Sequence, residues 1–220
     1  MSRKACIVLN VPNIGTLDIA SLAKGAELII AADGAVRHLP DGCAPDVICG
    51  DFDSIQRAGA LTRFPRSEHV QLDCQETNDF EKCIELAIAR GANEILVLAN
   101  LTGRIDHALV IVSVLERYHR KLAIVLHDGM MTCRVLSSEG DKECSYSPGD
   151  VACGDTISLI PRGDGASVTI TGVEWPLHAE TLTSGSRGLS NKALGETVSV
   201  TVHKGVLFFI HGAAGRLLTL

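Results

Sequence analysis

The stretch Pro45-Asp46-Val47-Ile48-Cys49-Gly50-Asp51-Phe52-Asp53-Ser54-Ile55 holds a short apolar run, a glycine, and then two carboxylates one residue apart. An apolar run bounded in this way reads as a buried strand, and ligands of open α/β sheets bind beyond strand ends. Were residues 51 to 55 extended, Asp51 and Asp53 would project to the same side, because side chains alternate along a strand. Two carboxylates held together repel, and a divalent cation relieves the repulsion. Hard oxygen ligands beside phosphates are the usual surroundings of Mg²⁺. Gly-Asp and Asp-Ser are also ordinary turn chemistry, so this segment alone leaves a metal site and a plain loop both open.

Working outward, strands and helices alternate. Residues 4 to 9, 26 to 31, 47 to 49, 94 to 99 and 122 to 126 read as strands. Helices are predicted over Asp18 to Lys24, Asp79 to Arg90 and Ile105 to Tyr118. The second of these places Phe80, Cys83, Ile84, Ala87 and Ile88 on one face, with Thr77 as N-cap and Gly91 just past the end. Such alternation predicts a mostly parallel, Rossmann-like sheet covered on both faces. The pattern changes near residue 130. Strands are then predicted at 131–136, 156–160, 166–171, 197–203 and 206–210. They are separated by Pro148-Gly149-Asp150, Arg162-Gly163-Asp164-Gly165 and Lys204-Gly205. This is the pattern of a small β-sandwich. The expectation is an α/β domain over 1–130 and an all-β domain over 131–220.

The 220 residues are 46% hydrophobic, enough for a sizeable core. No apolar run is long enough for a membrane span. The N-terminal apolar stretch, broken at Asn10 and Pro12, is too short for a secretory signal. None of the eight cysteines forms a Cys-x-x-Cys pair, which favours reduced, mostly buried thiols and a cytoplasmic location. A net charge of −6 argues against a nucleic-acid partner.

Four polar clusters follow strands or open helices in the first half: Ala32-Asp33-Gly34-Ala35, Asp51 with Asp53, Gln75-Glu76-Thr77-Asn78-Asp79, and Leu101-Thr102-Gly103-Arg104-Ile105-Asp106-His107. If the strands run in one direction, all four lie at one edge of the sheet, and that shared placement reads as an active site. Each cluster also has a plain structural reading. Asp33 before a glycine suits a turn. Asp79 in a first helical turn is favoured by the dipole by ~0.3–1 kcal/mol. Arg104 paired with Asp106 at the surface contributes only ~0–1 kcal/mol. His107, near Ala108, Val110 and Ile111, reads as a core histidine. No P-loop, protein-kinase signature or Gly-x-Ser-x-Gly elbow is present, so phosphoryl chemistry here would fall to carboxylates and Mg²⁺. In the second half, Trp175-Pro176-Leu177 holds the single tryptophan, which by itself reads as a core or edge residue. The stretch from Thr183 to Asn191 is long for a β-domain and rich in donors, as functional loops are.

Taken in order, these motifs resemble the thiamine pyrophosphokinase family. Its pattern of Asp-Gly-Gly, Gly-Asp-x-Asp-Ser, Gln-x-x-Thr-Asp, Gly-Gly-Arg-x-Asp-His, Trp-Pro-Leu and Ser-Asn is met by Asp33-Gly34-Ala35, Gly50 to Ser54, Gln75 to Asp79, Thr102 to His107, Trp175 to Leu177 and Ser190-Asn191. Ala35, Asn78 and Thr102 depart from it; the charged positions do not. The resemblance implies Mg²⁺-dependent transfer of a pyrophosphoryl group from ATP to the hydroxyl of thiamine, giving thiamine diphosphate and AMP. It also implies a homodimer with sites between subunits. Asp51, Asp53 and Asp79 would hold Mg²⁺ and Arg104 would contact phosphates. Asp33 and Asp106 would bind metal, orient water or steer the hydroxyl. Gln75 would read the aminopyrimidine, Trp175 would stack on it, and Ser190 and Asn191 would close the pocket. Two other readings use the same residues: a pyrophosphokinase for a pterin alcohol, and a regulatory protein that binds thiamine or nucleotide without turnover.

Overall fold

The computed structural model describes residues 3–52, 59, 62–140, 142–195 and 197–212. The chain divides into two compact units, Met1–Gly129 and Met130–Thr219.

The first unit is built on six parallel strands: β1 (Lys4–Val8), β2 (Leu28–Ala32), β3 (Val47–Gly50), β4 (Glu68–Gln71), β5 (Glu94–Leu98) and β6 (Ala123–His127). The lateral order is β4-β3-β2-β1-β5-β6, every pairing parallel. Ala5 to Val8 in β1 are fully enclosed, as expected of a central strand covered on both faces. β4 was not foreseen. It is the edge strand, reads Glu-His-Val-Gln, and has no apolar run to announce it.

Among the described residues the α-helices with defined bounds are α1 (Ile19–Leu22), α2 (Asp79–Ala89) and α3 (Ile105–Tyr118). α1 is shorter than predicted; Asp18 caps it by accepting from the Ser21 amide at 3.1 Å, and Gly25 follows in the left-handed region. α2 starts where predicted, but its N-cap is Asn78, not Thr77. With Asp79 the first helical residue, Asn78 is the residue whose side chain can accept from the Glu81 amide, at 2.9 Å. α3 has the predicted bounds. It buries Ile111, Val114, Leu115 and Tyr118, while Ile105, Leu109 and Val110 near its start are exposed.

Every named element of the second unit is a strand: β7 (Thr132–Ser137), β8 (Cys144–Tyr146), β9 (Thr156–Thr171), β10 (Leu177–Leu182), β11 (Asn191–Lys192) and β12 (Ser199–Gly212). β9 and β12 each absorb two predicted strands. They form one long antiparallel ribbon whose register shifts between Val202 and Lys204 and again between Gly205 and Val206. Gly205 explains why turn chemistry was misread there. A Cβ on it would stand 2.3 Å from the Gly165 carbonyl, so the glycines let the ribbon bend tightly instead of ending it. One half of the ribbon is flanked by β8 and β10, the other by β7 and β11. Both halves supply one apolar cluster, with Val168, Ile170, Val200 and Val202 from one and Ile157, Leu159, Leu207 and Phe209 from the other.

Candidate active site

Because the six strands of the first unit are parallel, their carboxyl ends share one edge, and the predicted clusters gather there. Asp33 follows β2, Asp51 follows β3, Asp79 opens α2, and Arg104 and Asp106 flank the start of α3 beyond β5.

Asp33 is fully enclosed, and neither carboxylate oxygen has a hydrogen-bond partner among the described residues. Burial pushes its pKa up and the charges of Asp79 and Asp51 add to this. The backbone amides of Phe52 and Gly34 lie near enough to oppose it electrostatically, although neither reaches hydrogen-bond geometry. Gly50 makes room for the carboxyl: a Cβ there would lie 2.7 Å from Asp33 Cγ. Asp51 and Asp79 both lie beside Lys82, which the sequence reading missed. Lys82 Nζ stands 3.2 Å from Asp79 Oδ1 and 3.5 Å from Asp51 Oδ2, and its side chain is only 4% exposed. Its pKa is nonetheless raised. Desolvation works to lower it, and hydrogen bonding and charge from Asp79 and Asp51 outweigh that. The available signal was a lysine three residues after a site carboxylate on a helix with a buried stripe.

Asp53 lies outside the described residues. The reason given for pairing it with Asp51 fails at Phe52, which has φ +63°. The chain turns between the two aspartates and is not extended, so strand alternation does not set their directions. The Phe52 ring stacks on His69 of β4, with centroids 5.9 Å apart and planes 11° apart.

Arg104 and Asp106 face each other as a bidentate pair, Nε to Oδ1 at 3.1 Å and Nη2 to Oδ2 at 2.5 Å. Asp106 also accepts from the His107 amide, and Arg104 holds its pKa at about 2. Both side chains are exposed. His107 is exposed too, so the core-histidine reading is wrong: the first turns of α3 are not covered within this unit. Two cavities of about 330 Å³ share Arg104. Asn10 and His107 also line both; Pro12, His38 and Asn100 line one alone, and Ala32, Asn78, Asp79, Phe80 and Asp106 the other. Gln75 is exposed and lines neither.

In the second unit Trp175 is 59% exposed, against the reading as a core residue. It lines a cavity of about 350 Å³ with Leu159, Leu177, Arg187, Leu189 and Asn191. Asn191 does not reach into this cavity as a spare donor. Its Oδ1 accepts from the Trp175 amide at 3.1 Å and its Nδ2 donates to the Trp175 carbonyl at 2.7 Å, so it fixes the tryptophan's backbone. Ser190 has φ +58°, and its amide donates to the buried Ser158 hydroxyl at 3.0 Å.

Among the described residues no three His, Cys, Asp or Glu side chains form a ready cage for a metal. Mg²⁺ ordinarily takes one or two carboxylates together with phosphate oxygens, not an all-protein cage. The bare oxygens of Asp33, with Asp51 and Asp79 held by an ammonium, fit that mode of binding.

Carboxylates, a buried ammonium and an arginine thus gather at the carboxyl edge of a parallel sheet, where the ligands of open α/β enzymes bind. The catalytic-domain model of thiamin pyrophosphokinase matches residues 19–126, and the model of its vitamin B1 binding domain matches residues 145–207. The chain is 29% identical to thiamine pyrophosphokinase 1 of Oryza sativa subsp. japonica, across 84% of this chain and 79% of that one. In fold it is similar to thiamine pyrophosphokinase from Bacillus subtilis, with a TM-score of 0.82 at 23% identity over 96% of this chain and 99% of the other. It is likewise similar to the thiamin pyrophosphokinase of Candida albicans, with a TM-score of 0.78 at 19% identity over 96% and 89%. The chain belongs to the thiamine pyrophosphokinase family.

Proposed function

We propose that this protein transfers a pyrophosphoryl group from ATP to the hydroxyl of thiamine, giving thiamine diphosphate and AMP. The observation that carries the reading is the pair Asp51 and Asp79 around Lys82, with Asp33 close enough for their charges to act on it, all within the residues matched by the family's catalytic domain. In this reaction the alcohol oxygen bonds to the β-phosphorus, the bond to the α–β bridging oxygen breaks, and AMP departs. The hydroxyl proton is released. Positioning and charge neutralisation dominate such a step.

Asp51 and Asp79, with Asp53, are the residues that would hold Mg²⁺. When bound, the ion supplies charge neutralisation on the triphosphate. Arg104 presents a planar fork of donors suited to phosphate oxygens, and Asp106 keeps it extended over the two cavities until substrate arrives. Asp33 and Asp106 are the carboxylates left to steer the hydroxyl. Trp175, held at its backbone by Asn191, offers its exposed face to the aminopyrimidine, with Gln75 as a further contact to the ring and Ser190 shaping the loop.

We read the active form as a cytoplasmic homodimer with sites between subunits, the second unit acting as the thiamine-binding domain, a small sandwich. The apolar side chains of Ile105, Leu109 and Val110, exposed at the start of α3, are what a second copy would cover. Among the described residues no helix is long and apolar enough to cross a membrane. The test is AMP release from ATP and Mg²⁺. Release that requires thiamine is the expected result. Release driven by a pterin alcohol instead, or binding of thiamine without AMP release, would overturn it.

A further inference from the structure

We propose that Lys82 is the resident counter-cation of the carboxylate cluster, holding Asp51 and Asp79 together in the metal-free protein and competing with a divalent cation for their oxygens. The inference rests on reading these two aspartates as metal-facing.

Asp51 and Asp79 come from different elements, the turn after β3 and the first turn of α2, and their side chains are only 20% and 28% exposed. Asp33, with both oxygens bare, is close enough for their charges to act on it. Carboxylates partly withdrawn from water in this way repel strongly unless a cation stands among them. Lys82 supplies one from inside the protein. Its stem is buried on α2, and its ammonium lies 3.5 Å from Asp51 and 3.2 Å from Asp79. The same oxygens cannot be shared freely. A magnesium ion binds carboxylate oxygen at ~2.0–2.1 Å, and a doubly charged ion at that distance repels an ammonium on the far side of the same groups. Metal binding therefore weakens the Lys82 contacts, and by linkage the Lys82 contacts weaken metal binding.

The direction of this effect separates it from the other roles a buried lysine can have. A merely structural lysine, once removed, leaves a disordered cluster that binds metal more weakly. A lysine that serves only the phosphates leaves metal affinity without nucleotide unchanged. A resident competitor, once removed, leaves metal affinity higher.

The experiment is Mn²⁺ binding without nucleotide, read by the electron paramagnetic resonance of free Mn²⁺, for the full chain and for Lys82→Met and Lys82→Arg. The Met variant is expected to bind Mn²⁺ at least about tenfold tighter, the scale of repulsion between an ammonium and a divalent ion a few Å apart even at the dielectric constant of water. Its metal-free form should also melt earlier, and saturating Mn²⁺ should raise its Tm by more than it raises that of the parent. Lys82→Arg keeps the charge and is expected to stay within about threefold of the parent. Should Lys82→Met fail to fold, the parent protein still decides. The Lys82 ε-methylene resonance, identified by its absence in Lys82→Arg, should move on Mg²⁺ addition without nucleotide. Equal or weaker Mn²⁺ affinity in folded Lys82→Met, or a resonance that stays still on saturation, overturns the proposal alone. No Mn²⁺ binding by parent or variant overturns the metal reading of Asp51 and Asp79, and this proposal with it.

Discussion

Asp33 is enclosed by protein and has no hydrogen-bond partner for its oxygens among the described residues. Its raised pKa fixes the sign of its effect on stability. Below the ordinary carboxyl value of ~3.9, Asp33 is protonated in both folded and unfolded chains and costs nothing. As pH rises past that value the unfolded chain ionises first, so stability falls until the folded pKa is passed, and the loss is constant above it. Asp33→Asn removes the charge at constant shape. It is expected to melt higher than the parent at pH 7.5, by about 2–4 °C for each kcal/mol relieved, with the gain shrinking towards pH 3.5, and to lose turnover. Melting curves at the two pH values check this; a lower Tm for the variant at pH 7.5 would show that Asp33 stabilises the fold. Arg104 is a different case, an exposed fork that contributes little to stability. Arg104→Lys should leave Tm within about 1 °C while lowering kcat/KM for ATP by at least ~10-fold, since an ammonium cannot offer paired donors. Parent-like kinetics in the Lys variant would reduce the Arg104–Asp106 contact to a surface pair. The gathering of these charged residues at one sheet edge was legible because they follow apolar strands or open helices. Lys82 and the role of Asn191 were not, because each depends on which partner a side chain finds across the fold.

The elements of the first unit were the most legible part of the fold. Helices 79–90 and 105–118 and the central strands carry uninterrupted apolar patterns, and the observed bounds agree to within two residues at each end. Legibility failed where pattern and geometry diverge. β4 has edge-strand polarity, and β9 and β12 carry glycines at bends within a strand. After β3 the sequence leaves an extended run and a turn both open, and Phe52 at φ +63° makes it a turn. That conformation costs a non-glycine residue ~1–3 kcal/mol and persists only when surroundings enforce it. The stack of Phe52 on His69 is one such enforcing contact, and it ties the residue after Asp51 to the edge strand. His69→Ala is therefore expected to raise the Mg²⁺ concentration for half-maximal turnover by about two- to thirteenfold, the span of ~0.5–1.5 kcal/mol assigned to an aromatic pair. His69→Phe, which keeps a flat ring, should restore it. Magnesium titrations of initial rate decide the matter; unchanged half-saturation in His69→Ala would mean that the turn is held by other contacts.

At the scale of the molecule, the carboxylate cluster belongs to Met1–Gly129 and the exposed Trp175 to Met130–Thr219. Neither unit by itself offers both the proposed phosphate site and the proposed ring platform. The proposed dimer joins the platform of one subunit to the carboxylates of the other. Trp175→Ala should then weaken thiamine binding far more than ATP binding, by ~0.5–1.5 kcal/mol beyond the lost area, with a further cation–π contribution from the thiazolium. A mixing experiment tests the arrangement itself. Asp51→Asn chains lack a competent carboxylate cluster, and Trp175→Ala chains lack the platform, so each homodimer is defective at both sites. When equal amounts are dissociated and reassembled at random, half the dimers are mixed. In each mixed dimer one site combines both defects, and the other combines an intact Asp51 with an intact Trp175. Activity at low thiamine should therefore return to about a quarter of the parent value, as two-fold symmetry requires. If mixed dimers form, shown by differently tagged chains co-purifying, and activity stays at the average of the two variants alone, each site is completed within a single chain.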